Sequence, residues 1–244
     1  MVELDTIYNE DCLVGMEDIP DNSIDLVVTD PPYKITSRGN GGNSGGMFQK
    51  MEVNNGKVFK HNSINITDWI DHLFRVLKDS GHCYIMTNNK NISDYLAAVE
   101  KSEFHFIKNL IWVKNNKIMS QTYMSQFEYV IMLRKGRHKR INHCGTSDVL
   151  QFPNVKMKGD DGKVIHDTEK PVGLVSTLIE NSSKEGDVVL DPFIGIGTTA
   201  IAAINTGRNY IGYELDTDYH RLAEERVANH VADTGEKETI KWSN

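Results

Sequence analysis

Cysteine, net positive charge and long apolar runs are all scarce in this 244-residue sequence, and each scarcity removes a class of protein. Cys12, Cys83 and Cys144 stand alone without metal-type spacing, so a disulfide scaffold and a zinc site are both unexpected. A reducing, cytoplasmic setting is the matching expectation. No apolar run approaches the ~18 residues of a membrane span, and the acidic N-terminal stretch is unlike a secretory leader. The nine histidines have no ligand spacing, so no metal is expected. With 39% hydrophobic and 25% charged residues, one ordinary domain over 1–244 suffices to bury a core.

The formal charge of −7 argues at first against a polyanionic partner. Its distribution argues the other way. Residues 1–33 hold nine acids and no Lys or Arg, whereas residues 34–170 hold 21 Lys and Arg against 13 acids. The densest basic run is Arg134-Lys135-Gly136-Arg137-His138-Lys139-Arg140. Arg134, Lys135, Arg137, Lys139 and Arg140 are candidate phosphate contacts. On charge alone, a solvated hairpin tip explains the run equally well.

Short apolar runs alternate with amphipathic ones. Strands are expected at Leu4–Tyr8, Asp25–Thr29, His82–Thr87, Phe104–Val113, Phe127–Leu133, Val188–Leu190 and Tyr210–Tyr213. Helices are expected at Cys12–Asp18, from an N-cap at Thr67 to Ser80-Gly81, at Ile92–Lys101, from Pro171 to about Asn181, at Thr198–Thr206 and at Thr217–Val231. This order implies an α/β fold: a Rossmann-like, doubly wound, mostly parallel sheet with helices on both faces. Two segments break the rhythm. Residues 34–64 are glycine-rich and begin where a strand ends, which suits a lid; residues 134–165 suit a short DNA-recognition segment or a plain connection.

Two strand ends carry the chemistry. The strand Val188–Leu190 empties into Asp191-Pro192-Phe193-Ile194-Gly195-Ile196-Gly197-Thr198-Thr199. Strand, Gly195-x-Gly197-x-x-Ala200 and helix form a nucleoside-binding turn that would serve NAD equally well. Glu214, at the end of the next strand, is placed for ribose hydroxyls. Asp191 favours a cofactor with a cationic aminoacyl group, because a pyrophosphate would be repelled there. A glycine turn that only allows close helix–strand packing is the plainer alternative.

The other strand ends in Asp30-Pro31-Pro32-Tyr33. An exocyclic amine on a base is a poor nucleophile because its lone pair is delocalised into the ring. The Asp30 carboxylate and the Pro31 carbonyl could accept its hydrogens and free that pair, and the prolines would hold both acceptors rigidly. Tyr33 offers a face on which an extruded base can stack. An Asp-Pro turn with a packing tyrosine is again the plainer alternative.

In this order the two motifs resemble the amino-methyltransferases that modify DNA with S-adenosylmethionine, in the permuted group usually called β. Asn9-Glu10-Asp11-Cys12, Ile111-Trp112-Val113-Lys114-Asn115, His166-Asp167-Thr168-Glu169-Lys170-Pro171 and Tyr210-Ile211-Gly212-Tyr213-Glu214 are similar to further elements of that family. The resemblance implies catalysis by Asp30, Pro31, Pro32 and Tyr33. It implies cofactor contacts from Asp11, Cys12, Lys170, Asp191, Phe193, Gly195, Gly197, Thr198, Thr199 and Glu214. Within the family, Asp at the head of the catalytic turn leans toward adenine N6 rather than cytosine N4. Members with well-defined sites often carry a larger recognition insert than the roughly thirty residues present here. Recognition is then left to a short segment, the lid or a second copy of the chain in a homodimer, on single- or double-stranded DNA. Rival readings keep the chemistry on cytosine N4, RNA or a protein amide, or reduce the chain to a nucleic-acid-binding domain with a vestigial pocket.

Overall fold

The alternation of apolar residues along each strand decides which helix packs where. The structure is a computed structural model and describes residues 2–32, 64–119, 122–154 and 169–240. Its elements run β1 (Thr6–Tyr8), α1 (Cys12–Gly15), β2 (Ile24–Thr29), α2 (Ile66–Val76), β3 (Leu77–Thr87), α3 (Ile92–Lys101), β4 (His105–Ile118), β5 (Ser125–Arg134), β6 (Val149–Gln151), α4 (Val172–Ser182), β7 (Val188–Asp191), α5 (Thr198–Asn205), β8 (Asn209–Tyr213) and α6 (Thr217–Ile240). All eight strands form one sheet in the order β1-β8-β7-β2-β3-β5-β4-β6. Its pairings are parallel except β3 with β5 and β5 with β4. The fold class read from the sequence is the one observed.

Val27, Cys83, Ile85, Ile131 and Leu133 face one layer, where Trp69, Leu73, Tyr95 and Val99 of α2 and α3 close over them. Their alternating neighbours Leu26, Val28, Tyr84, Met86, Val130 and Met132 face the other layer, against Leu174, Leu178, Ala200 and Ala223 of α4, α5 and α6. A period of two along the strands thus supplies two cores, one per face. Each large side chain buried in them contributes about 1.5–3 kcal/mol.

Several limits differ from the sequence expectation. The N-cap of α2 is Asn65, whose N–H donates to the Asp68 carboxylate at 2.8 Å, while Thr67 lies exposed within the helix. The helix stops at Val76 rather than Ser80-Gly81, because buried Leu77 is already extended and pairs with Ile24 of β2. The next residues bulge. Ser80 takes φ +66°, and a Cβ on Gly81 would lie 2.7 Å from Leu77 Cγ. The strand β6, alongside β4, lies inside the segment read as loop or recognition hairpin. Most of the 34–64 lid and residues 155–165 of that segment lie outside the described residues.

The sheet reverses its winding between β2 and β7. From β2 the chain winds outward through β3; from β7 it winds the opposite way through β8. In an open α/β sheet, the crevice above such a switch point is where ligands bind.

Candidate active site

Asp30 follows the last residue of β2, and Asp191 is the last residue of β7, so the two motifs meet at the switch point. They are joined directly. The Thr29 hydroxyl donates to Asp191 Oδ1 at 2.8 Å, the Thr199 hydroxyl to Oδ2 at 2.6 Å, and the Phe193 N–H to Oδ1 at 3.1 Å. Asp191 therefore anchors the glycine turn to the strand that carries Asp30. Burial pushes its carboxyl up to about 6, although the three donors oppose the rise.

The turn needs its glycines. Gly195 and Gly197 have φ of +55° and +82°, and Gly197 caps α5. Among the described residues, and apart from its chain neighbours, nothing lies within 4 Å of where a Cβ on Gly195 would stand, so the turn's backbone faces open space. That space belongs to a cleft, partly open to solvent, lined by Asp30, Met86, Lys170, Asp191, Gly195, Thr198 and Thr199 among others.

Glu214 and Asp11 stand at the ends of the neighbouring strands β8 and β1. The Glu214 N–H donates to Tyr8 O at 2.9 Å, and its carboxylate accepts from the Asp216 N–H at 2.8 Å. Burial raises its carboxyl, and the Gly195 N–H is among the groups that lower it, so Glu214 lies beside the glycine turn. Asp11 caps α1 by accepting from the Leu13 N–H at 2.9 Å. Cys12 is buried, and that burial, helped by Asp11, pushes its thiol up to about 12, so it acts as a small apolar wall. Phe193 packs edge-on against Trp69 at 5.4 Å. An open glycine turn flanked by carboxylates at three adjacent strand ends fits S-adenosylmethionine. Glu214 would take the ribose, the turn would pass along the nucleoside, and Asp11 would lie toward the adenine.

Asp30 is not alone. Its Oδ2 accepts from Lys170 Nζ, which also lies 3.5 Å from Glu128 Oε2, while Glu128 Oε1 accepts from Lys114 Nζ. Lys114 in turn lies 4.8 Å over the Trp112 ring, whose N–H donates to Phe152 O at 2.9 Å. Carboxylates and ammoniums alternate along this buried row. Burial opposes the charge on Glu128, but Lys170 and Lys114 outweigh it and hold its carboxyl below the usual range. Burial likewise opposes charge on Lys170, but Asp30 and Glu128 raise it above its ordinary value. Beside the row, Arg226 of α6 donates to Glu169 at 2.6 Å and to Ile196 O at 3.1 Å, bracing the glycine turn from behind.

Glu128 and Arg226 were missed by the sequence reading. Glu128 is one polar residue in an apolar strand, and Arg226 one cation in a charged helix, so neither carries a local signal. Tyr33 and His166–Thr168 lie outside the described residues.

The basic run does not join the site. Because β5 is antiparallel to β3, Arg134 pairs with His82 while Tyr129 pairs with Thr87 at the catalytic edge. From Glu128 to Arg134 is six residues along β5, roughly 20 Å of strand. Lys135 is tucked under α2, donating to Phe74 O at 2.6 Å and Asn22 at 2.8 Å. Arg137 pairs with Asp79 at 2.8 Å, and Lys139 Nζ lies 3.5 Å from Ser182 O. Arg140 is exposed on the same far side. The five candidate phosphate contacts thus lie at the end of β5 opposite Glu128.

The fold and the joined turns define a cleft of the nucleoside-binding type at the sheet's switch point. Comparison with known proteins makes the class specific: residues 24–225 match the family model of the N6/N4 DNA methylases, and the chain belongs to that family. It is an S-adenosylmethionine-dependent DNA methyltransferase. It is 30% identical to the Type II methyltransferase M.HinfI of Haemophilus influenzae, over 92% of this chain and 68% of that one. It is 31% identical to the Type II methyltransferase M2.MboI of Moraxella bovis, over 90% and 86%. Among solved structures, the M1.HpyAVI complex with S-adenosylmethionine superposes with a TM-score of 0.67 at 25% identity, covering 93% of this chain and 99% of that one. The cytosine-N4-specific PvuII DNA methyltransferase shares the fold, with a TM-score of 0.70 at 18% identity, covering 94% and 92%.

Among the described residues no helix is long and apolar enough to cross a membrane, and no cluster of three His, Cys, Asp or Glu is arranged to hold a metal ion.

Proposed function

We propose that the protein methylates the exocyclic N6 of adenine in DNA. The observation that carries this reading is the Asp30 carboxylate, presented at the edge of the cofactor cleft with a nitrogen donor, Lys170 Nζ, already on it. An amine N–H would meet the same carboxylate. S-adenosylmethionine supplies an electrophilic methyl carbon on sulfur. Asp30 and the Pro31 carbonyl accept the hydrogens of N6 and orient its lone pair toward that carbon. As the N–C bond forms and the C–S bond breaks, the surplus N6 proton passes to Asp30 or solvent. Tyr33 stacks on the extruded base. Asp191, Thr29 and Thr199 keep the two turns in register, which is where proximity supplies rate.

DNA on this edge would meet Lys90, after β3, and Lys117, near the end of β4, both exposed. These two are the preferred phosphate contacts among the described residues. A single domain with residues 34–64 as a lid, a homodimer and a cytoplasmic setting complete the proposal. The three free thiols suit the last of these.

The test is methyl transfer from labelled S-adenosylmethionine to unmethylated single- and double-stranded DNA, beside Asp30→Ala, with the product nucleosides weighed by mass spectrometry. N6-methyladenine that disappears in the variant is the expected result. N4-methylcytosine would overturn the choice of base. Absence of incorporation on either DNA, with cofactor still bound, would overturn the choice of acceptor.

A further inference from the structure

The alternating row raises a difficulty for the reaction just described, on which this inference rests. A carboxylate that shares its charge with an ammonium is a weaker acceptor for an amine N–H. Lys170 therefore has to loosen its hold on Asp30 when the base arrives. It is 7% exposed, and an ammonium this deeply buried keeps its charge only beside carboxylates.

Glu128 meets that need. Its Oε1 is held by Lys114, whereas its Oε2 is buried, makes no hydrogen bond and stands 3.5 Å from Lys170 Nζ. A rotation at the end of the lysine side chain closes that gap. Lys114 is itself fixed between Glu128 and the Trp112 ring and is 6% exposed, so Glu128 cannot swing away. We propose that Glu128 is the second seat of Lys170: as the target amine donates to Asp30, Lys170 shifts its hydrogen bond from Asp30 to Glu128 Oε2. No covalent bond changes, no proton is transferred and the charge of the row is conserved. Glu128 and Lys114 are thus positioning residues, acting on Asp30 through Lys170.

The experiment measures single-turnover methylation of adenine in DNA, with cofactor affinity and DNA KM recorded separately. In Glu128→Gln, Lys170 stays on Asp30, and the methylation rate falls roughly 10- to 100-fold, the scale of a misplaced reacting group. Cofactor affinity and DNA KM change little, and Glu128→Asp recovers part of the rate. The double variant Glu128→Gln/Lys114→Met restores charge balance without restoring the seat, so it stays slow. If Glu128→Gln keeps the wild-type rate, or the double variant regains it, the second seat does not exist. Should Glu128→Gln fail to fold, the charge-balanced double variant decides alone. Wild-type protein that methylates no adenine would instead overturn the reading of the substrate and leave this row to be explained otherwise.

Discussion

Asp191→Asn should stabilise the protein at pH 8 and weaken its function. Burial raises the Asp191 carboxyl from its ordinary 3.8 to about 6, which corresponds to about 3 kcal/mol of stability lost once the group is forced to ionise. The folded state binds this proton more tightly than the unfolded state. The contribution is therefore favourable in acid and disappears as pH rises from 3.8 through about 6. Asparagine keeps the geometry: its oxygen accepts from Thr29 and Phe193, and its amide donates to Thr199 Oγ1. It has no proton to lose. Urea unfolding of both proteins from pH 4 to pH 8 reads the difference. The variant should gain on the order of 1–3 kcal/mol at pH 8 and nothing near pH 4.

The comparison has to be differential because His82 titrates in the same window with the opposite sign. Burial, with Lys139 next, depresses its imidazole to about 4, so its contribution is lost as pH falls from 6.5 toward that value. The wild-type curve alone mixes the two slopes. Subtracting the variant curve isolates Asp191. A gain of equal size at pH 5 and pH 8, or a wild type more stable at pH 8, would mean that Asp191 does not carry this pH dependence. S-adenosylmethionine should raise the melting temperature of the variant less than that of the wild type, since a negative wall of the cleft is gone.

Two further outcomes follow from placement. Lys90→Ala/Lys117→Ala should lower the slope of log affinity for duplex DNA against log salt by about 1.8, at 0.9 per phosphate. Arg137→Ala/Arg140→Ala, on the far edge, should leave it unchanged, and filter binding across a salt series checks both. Gly212→Ala would place a Cβ 2.3 Å from Ile194 Cδ1 and 3.1 Å from Ile194 Cβ, inside the glycine turn. It should cost about 1–3 kcal/mol in urea unfolding and weaken cofactor binding measured by calorimetry.

The two functional turns were legible because each is a local pattern: an apolar run, then residues whose backbone or side chain forces a turn. The limits of α3 were legible for the same reason. The row behind Asp30 was not. Lys170, Glu128 and Lys114 belong to three segments, and only the register that sets Trp112 opposite Glu128 brings two of them together. The direction in which the basic run points was not legible either, because charge density says nothing about direction. One antiparallel strand, β5, carries its far end to the edge of the sheet opposite the chemistry. The end of α2 was misjudged because its apolar spacing continues into Leu77, which the sheet claims as strand.

The seam between β2 and β7 also fixes the order in which the molecule can be completed. Leu26 finds its partner Val189, and Thr6 finds Ile211, only when the last third of the chain exists. During synthesis, the first strands and their acidic turn emerge early and wait with unpaired edges. Such long-range parallel closure is slow, because the entropy of looping is spent before any contact repays it. A nascent chain therefore holds the Asp30 turn before the glycine turn that joins it exists. Catalytic competence and closure of the sheet arrive as one event.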